Sequence, residues 1–287
     1  MEETAEKMTS KLEADAIFMF LNRGIILSIG NELLIGKVLN TNAQWLSKEL
    51  TALGFLVEEC VSVQDSVLAI AEAFRNALAK RPQVIISTGG LGPTFDDKTV
   101  EGLARALNLP LVLDPQALAS IKEKYASRGL QLTPERVKMA YLPLGATSLE
   151  NTVGTAPGVY IRHKGTLIFV LPGPPREAEA VFKTHVQRII EKTFGKVESY
   201  EASVIIRGVP ESEFAPYVRE AMEKFKGVYI KSHPKGFELG APVIEIHITS
   251  FGRKYFSELE KCFKFIVEQA RKLGGEITAT ESPTIKK

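Results

Sequence analysis

Hydrophobic positions along the chain alternate between short β-branched runs and longer stretches of helical period. Residues 24–29 read as a first strand, and they end in a glycine-bracketed turn, Gly30 to Gly36, that carries Glu32. Thr41-Asn42 predicts the cap of a helix with Trp45, Leu46, Leu50 and Leu53 on one face, stopped by Gly54. Residues 55–63 read as a second strand leading to Asp65, and 66–80 as a helix with Leu68, Ala71, Phe74, Ala77 and Leu78 inward. Residues 84–88 form a continuous apolar run between Pro82 and Gly89, which predicts a buried strand.

Helical pattern resumes near Lys98, and a short strand is expected at 109–113. Further helices start at Pro115 and at Thr133-Pro134. Paired strands at 159–162 and 166–171 flank the turn His163-Lys164-Gly165, and a helix follows at 176–193. This alternation predicts an α/β fold, a mostly parallel sheet with helices on both faces. The pattern restarts near Gly195: a strand at 198–209, a helix at 211–225, strands at 228–233 and 243–249 joined by a Pro/Gly-rich loop, and a helix at 255–273. That order predicts a second, smaller α+β unit. The expected division is a helical extension over 1–23, an α/β domain over 24–195 and a small α+β domain over 196–287.

Composition narrows the function classes. With 45% hydrophobic and 24% charged residues among 287, the chain reads as a soluble globular protein. The net charge of +2 does not call for nucleic acid. The apolar part of the N-terminus, 16–21, is too short to span a bilayer, and no basic signal-peptide region precedes it. It reads as part of an amphipathic helix, and the expectation is a cytoplasmic protein without a membrane role. Two distant cysteines, Cys60 and Cys262, read as reduced thiols.

The densest candidate chemistry follows the third strand: Thr88-Gly89-Gly90-Leu91-Gly92-Pro93-Thr94-Phe95-Asp96-Asp97-Lys98-Thr99. Glycines let a ligand approach bare amides. A loop of this kind before a helix suits a phosphate. The plainer reading is a βα turn with glycine for geometry and an aspartate as cap. Against it, Glu32, Asp65, Asp96 and Asp97 all follow strands; if those strands are parallel neighbours, the four acids converge. Carboxylates so placed suit a hydrated divalent cation completed by substrate phosphates. The loop at 171–175 would present Gly173 and a helix start to an anion, and 151–158 is a second glycine-bearing segment. The loop fits neither a P-loop nor Gly-x-Gly-x-x-Gly, and no histidine has metal-ligand spacing.

Gly30-Asn31-Glu32-Leu33-Leu34-x-Gly36, Thr41-Asn42, Asp65, the run from Thr88 to Thr99, Gly154-Thr155-Ala156-Pro157-Gly158 and Leu171-Pro172-Gly173-x-Pro175-x-Glu177 together resemble the CinA family, whose N-terminal module is a molybdopterin-binding, MoaB/MogA-like domain. The resemblance spans roughly 24–193, and more weakly the small domain after Gly195. It implies a three-layer α/β/α domain and a metal-assisted attack at a phosphoanhydride, of ADP-ribose or a related dinucleotide such as FAD. Asp65, Asp96 and Asp97 are then the catalytic candidates, and with Glu32 the ligands of a divalent metal (Mg, Mn or Co). Thr88, Gly89, Gly90, Gly92, Thr94, Thr99, Asn42, Gly154, Thr155, Pro172, Gly173 and Glu177 are the substrate and phosphate-binding candidates. The implied partners are a nucleotide or pterin small molecule and further copies of the chain, as a dimer or trimer. Departures are Asn40 for an aspartate, Thr152 for a proline and Pro174 for a valine, and no segment matches the deamidase domain many relatives carry. A pterin or nucleotide binder without hydrolysis, and a scaffold acting through the second domain, are the rival readings.

Overall fold

Strand β1 (Asn22–Ile29) opens the region described in the computed structural model, which covers residues 22–238 and 240–286. The expected N-terminal helix lies outside the described residues. Of those described, Asn22–Thr51 with Phe55–Gly195 form one compact unit and the chain from Lys196 belongs to a second.

The first unit runs β1, α1 (Asn31–Leu34), α2 (Thr41–Ala52), β2 (Phe55–Val63), α3 (Val67–Ala79), β3 (Val84–Thr88), α4 (Thr99–Leu107), β4 (Leu111–Leu113), α5 (Pro115–Ala126), α6 (Pro134–Lys138), β5 (Tyr141–Pro143), β6 (Thr147–Leu149), β7 (Gly158–His163), β8 (Thr166–Leu171), α7 (Pro175–Val181), a π-helical turn (Phe182–Val186) and α8 (Gln187–Phe194). Six strands form one sheet in the order β2-β1-β3-β8-β7-β6. The first four are parallel; β7 and β6 run antiparallel to their neighbours. β3 and β8 are buried at every residue, as expected of central strands covered on both faces. On one face Ile25, Leu27 and Ile29 share a core with Ile70 and Phe74 of α3, Leu103 of α4 and Ile121 of α5. On the other, Leu50 of α2 lies against Gly24, and Trp45 meets Phe182 edge-on at 5.1 Å. This is the expected α/β architecture, with helices on both sides of a mostly parallel sheet.

Several local expectations are corrected. Asn40, not Thr41-Asn42, caps α2: its Oδ1 accepts from the Ala43 N–H at 3.1 Å. Glu32 lies in a one-turn helix rather than a loop. β5 and β6 were not expected; each has only 3 residues, too short to show a period. The helix expected at 176–193 is interrupted by the π-turn, where buried Phe182 packs on Trp45.

The second unit runs β9 (Ser199–Arg207), α9 (Glu211–Lys224), β10 (Val228–Glu238), β11 (Ala241–Phe251), α10 (Phe256–Lys272) and β12 (Glu276–Lys286). Its antiparallel sheet has the order β10-β11-β9-β12, and buried Phe214, Leu259 and Ile266 anchor both helices in its core. The expected loop after 233 is instead a continuation of β10. Pro234 and Gly236 are accommodated because β10 is an edge strand with a register shift between them. β12, also an edge, was missed because its polar, proline-bearing sequence reads as irregular; its ladder shifts register between Glu281 and Thr284, around Pro283. No helix among the described residues is long and apolar enough to cross a membrane.

Candidate functional site

The parallel strands β2, β1, β3 and β8 end at one edge, where open α/β sheets bind ligands. Two backbone bonds tie their ends: the Gly30 N–H donates to Val63 O and the Gly89 N–H to Leu171 O, each at 3.0 Å. Loops from all four strands enclose a cavity of about 630 Å³. Glu32, Asp65, Asp96 and Asp97 line it together with Gly89, Gly90, Gly92, Thr94, Thr155, Pro172, Gly173 and Glu177. The expected convergence of acids on the glycine loop is therefore present. Gly89 has φ +98, and a Cβ there would lie 2.1 Å from Ile29 O. Glycine is the residue that lets the ends of β1 and β3 approach this closely.

Four expected binding residues do not line the cavity, and two of them, Thr99 and Asn42, hold residues that do. Thr99 is fully buried, and its hydroxyl donates to Gly89 O at 2.8 Å while its N–H donates to Gly90 O at 3.1 Å. The expectation that Thr99 binds phosphate is corrected: it clamps the glycine loop to the start of α4. Thr88 is buried at the end of β3. Asn42 donates from Nδ2 to Gly173 O at 2.8 Å, tying α2 to the Pro-Gly loop. Gly154 leaves room for a neighbour, since a Cβ there would lie 1.9 Å from the Glu177 carboxylate.

The acids occupy different environments. Asp97 Oδ2 accepts from the Thr94 N–H at 2.8 Å and from its hydroxyl at 2.6 Å, so Asp97 braces its own loop. The Thr94 hydroxyl also reaches Asp96, and this hydrogen bond, ahead of a backbone bond and the charges of Lys138 and Lys98, holds the Asp96 carboxyl below its ordinary range. Asp65 is pushed the other way: desolvation raises its pKa, and Glu32, Asp96 and Asp97 add repulsion, against the Asn31 N–H bond that lowers it. Two carboxyl groups in one cavity are thus driven apart in proton affinity, a pattern that separates an ionised stabiliser from a proton acceptor.

Among the described residues, no three His, Cys, Asp or Glu side chains come close enough to hold a metal by themselves. The donor set is nonetheless hard oxygen, and it fits a largely hydrated cation of the Mg²⁺ type, which takes one or two carboxylates and draws its other ligands from water and phosphate. Excess negative charge on Asp65, Glu32, Asp96 and Asp97 is what such a cation would relieve.

Two supporting residues were missed by sequence reasoning. Lys138, at the end of α6, donates from Nζ to Thr94 O at 3.0 Å and to Asp97 O at 2.5 Å, pinning the acidic loop from outside. Asn151 is fully buried: Nδ2 donates to Ala156 O at 2.9 Å and Glu177 Oε2 at 2.7 Å, and Oδ1 accepts from the N–H groups of Val153 and Gly154. Asn151 left one sequence signal, its place in the glycine-bearing segment 151–158; Lys138 left none. Behind the glycine loop lies a second cavity of about 570 Å³, mostly apolar, lined by Val100, Leu111, Leu132, Val137 and Tyr141 and sharing Gly90 and Gly92 with the first.

Comparison with known proteins agrees with this geometry. Residues 25–192 match the family model described as "Probable molybdopterin binding domain". A protein of Pyrobaculum aerophilum is 50% identical over 234 residues, 81% of this chain and 88% of that one. One of Aeropyrum pernix is 44% identical over 263 residues, 91% of this chain and 98% of that one. The crystal structure of the protein CinA, with unknown function, from Thermoplasma acidophilum aligns at 43% identity and a TM-score of 0.56, over 58% of this chain and 98% of that one. The resemblance to CinA is borne out at the level of family and fold, and the chain belongs to the family of probable molybdopterin binding domains.

Proposed function

We propose that the chain is a divalent-metal-dependent hydrolase of a phosphoanhydride, acting on ADP-ribose or a related dinucleotide in the cavity at the strand ends. The observation that carries this reading is the meeting of four acids, from the ends of three parallel strands, with the glycine loop and its Gly90 and Gly92 amides. Those amides receive the phosphate. Asp96, kept ionised, and Glu32 would hold the cation, which when bound supplies positive charge at the scissile phosphate. Asp65, whose proton affinity is raised, accepts the proton of the attacking water. Asp97 and Lys138 keep the loop in shape, and Glu177, fixed by Asn151, faces the rest of the substrate.

A second reading, binding of a pterin or nucleotide without hydrolysis, is favoured by one observation: Asp97 is engaged in bracing the loop, so that among the described residues no three acids form a cage. Incubation with ADP-ribose or FAD and Mg²⁺, Mn²⁺ or Co²⁺ separates the two. Release of AMP that is lost in Asp65→Asn supports hydrolysis. Binding without AMP release under every metal defeats it in favour of the second reading.

A further inference from the structure

At the opposite edge of the sheet, away from the acid-ringed cavity, lies a cleft of about 780 Å³ between the end of α3 and the β7–β8 turn. Its walls carry Arg75, Arg81, His163 and Lys164, and no acid lines it. Arg75, Arg81 and Lys164 make no side-chain ion pair with the described residues. Its floor is fixed: the Thr166 hydroxyl donates to Pro82 O at 2.7 Å, and the Leu167 N–H to Gln83 O at 2.9 Å. The guanidinium of Arg23 donates to Lys80 O and Arg81 O, so the Arg81 turn is held as well.

The backbone singles out two of these cations. Three non-glycine residues among those described have positive φ: Arg81 (φ 53), Asn108 (φ 56) and Lys164 (φ 46). Left-handed backbone disfavours side chains other than glycine and asparagine. Asn108 follows α4 in the place where asparagine is common. Arg81 lies one residue beyond Lys80, the end cap of α3, its N–H donating to Leu78 O at 2.9 Å. Lys164 takes the first position of a two-residue hairpin turn, where Asn, Asp or Gly is preferred. In both places the chain sets a long cation where a less strained residue was available, and both face the same cleft. The negative end of α3 accounts for a cation at Arg81, but Lys164 ends no helix. Strain retained at a concave, rigid and unneutralised site is a mark of binding.

We propose that this cleft binds a diphosphate-bearing small molecule. Two guanidinium forks and an ammonium, with no carboxylate opposing them, match the charge and the bidentate geometry of adjacent phosphoryl groups. A concave floor between two tied loops suits a compact anion rather than a duplex, whose phosphates need an open face.

The test titrates the full chain with inorganic pyrophosphate by calorimetry, at constant ionic strength, beside Arg81→Asn, Lys164→Asn and the double variant. Asparagine relieves the backbone at both positions, so each variant should melt at or above the unsubstituted chain. Pyrophosphate affinity should nevertheless fall by roughly tenfold or more per variant, the loss of a charge-assisted hydrogen bond. Folded variants that bind pyrophosphate as tightly as the unsubstituted chain would overturn the proposal. So would an unsubstituted chain that gives no more heat with pyrophosphate than with chloride. The variant comparison does not bear on hydrolysis at the other edge, where the glycine loop and the acids are untouched.

Discussion

Asn31 and Asp65 exchange hydrogen bonds: the Asn31 N–H donates to Asp65 Oδ2 at 2.7 Å, and the Asp65 N–H donates to Asn31 Oδ1 at 3.3 Å. The pair locks the end of β1 to the end of β2 and fixes where the Asp65 carboxyl faces the cavity.

That position makes Asp65 a liability to the fold at neutral pH. Desolvation, then the charges of Glu32, Asp96 and Asp97, raise its folded pKa above the unfolded value. A raised group gives stability that is fully present below the unfolded pKa, about 3.9 for aspartate, and is lost as pH rises through the folded pKa. Asp65→Asn keeps an acceptor for Asn31 without the charge. Its melting temperature should match the unsubstituted chain near pH 3, then exceed it by a margin that grows toward neutrality and levels off above the folded pKa. Millimolar Mg²⁺ should narrow the margin by pairing with the carboxylate. A variant that melts lower than the unsubstituted chain at pH 7 would show that the Asn31 bond outweighs the repulsion.

Gly89 and Gly90 are both in left-handed backbone, yet they should differ in what they tolerate. A Cβ on Gly89 meets the carbonyl of Ile29 at 2.1 Å, backbone against backbone inside the sheet. A Cβ on Gly90 meets the Thr99 hydroxyl at 2.2 Å, a side chain that can rotate away, though it then abandons Gly89 O. Gly89→Ala should therefore cost roughly 3 kcal/mol or more of unfolding free energy, and Gly90→Ala about 1–2 kcal/mol. Urea unfolding at equilibrium measures both; equal losses would mean the β1–β3 ends can part without strain.

The two thiols offer a probe that leaves the site alone. Cys60 is exposed on β2, whereas Cys262 is buried in the second unit and burial pushes its thiol up to about 12. Thiolate is the reactive form. A disulfide reagent at pH 8 should label one thiol per chain quickly and the second only as the second unit unfolds. Fast labelling of both in the native protein would contradict the packing of α10.

The strand ends were legible because central parallel strands are continuous apolar runs, and three of them finish at glycines or acids that have no place in a core. The sequence left open whether those strands are parallel neighbours; the sheet order β2-β1-β3 is what brings Glu32, Asp65 and Asp96 to one edge. Thr99 was misread because a threonine beside a glycine loop looks the same whether its hydroxyl turns to a ligand or to Gly89 O. Lys138 was invisible for a related reason: its role is to two backbone oxygens 41 or more residues away, which no local pattern encodes. The basic cleft was hidden too, since positive φ at Arg81 and Lys164 is a property of the turns they occupy and not of their residue type.

Asn151 gives the sharpest separation of support from chemistry. Its two N–H groups and its carbonyl oxygen serve Ala156, Glu177, Val153 and Gly154, so no part of the buried amide lacks a partner. Asn151→Ala leaves several of those groups without a bond, the buried Ala156 carbonyl among them, which should cost about 2–4 kcal/mol. Asn151→Asp keeps the shape and the acceptor but replaces a donor with charge opposite Glu177, whose Oε2 sits 2.7 Å from Nδ2. Like charges this close hold one carboxyl protonated. Asn151→Asp should therefore be least stable at high pH and recover as pH falls, while Asn151→Ala is destabilised at every pH. Restoring the single negative charge of the pair with Asn151→Asp and Glu177→Gln together should return most of the loss, because the new amide can donate to the new carboxylate. If the pair recovers nothing, the contact across the cavity wall is incidental, and Glu177 is held by α7 alone.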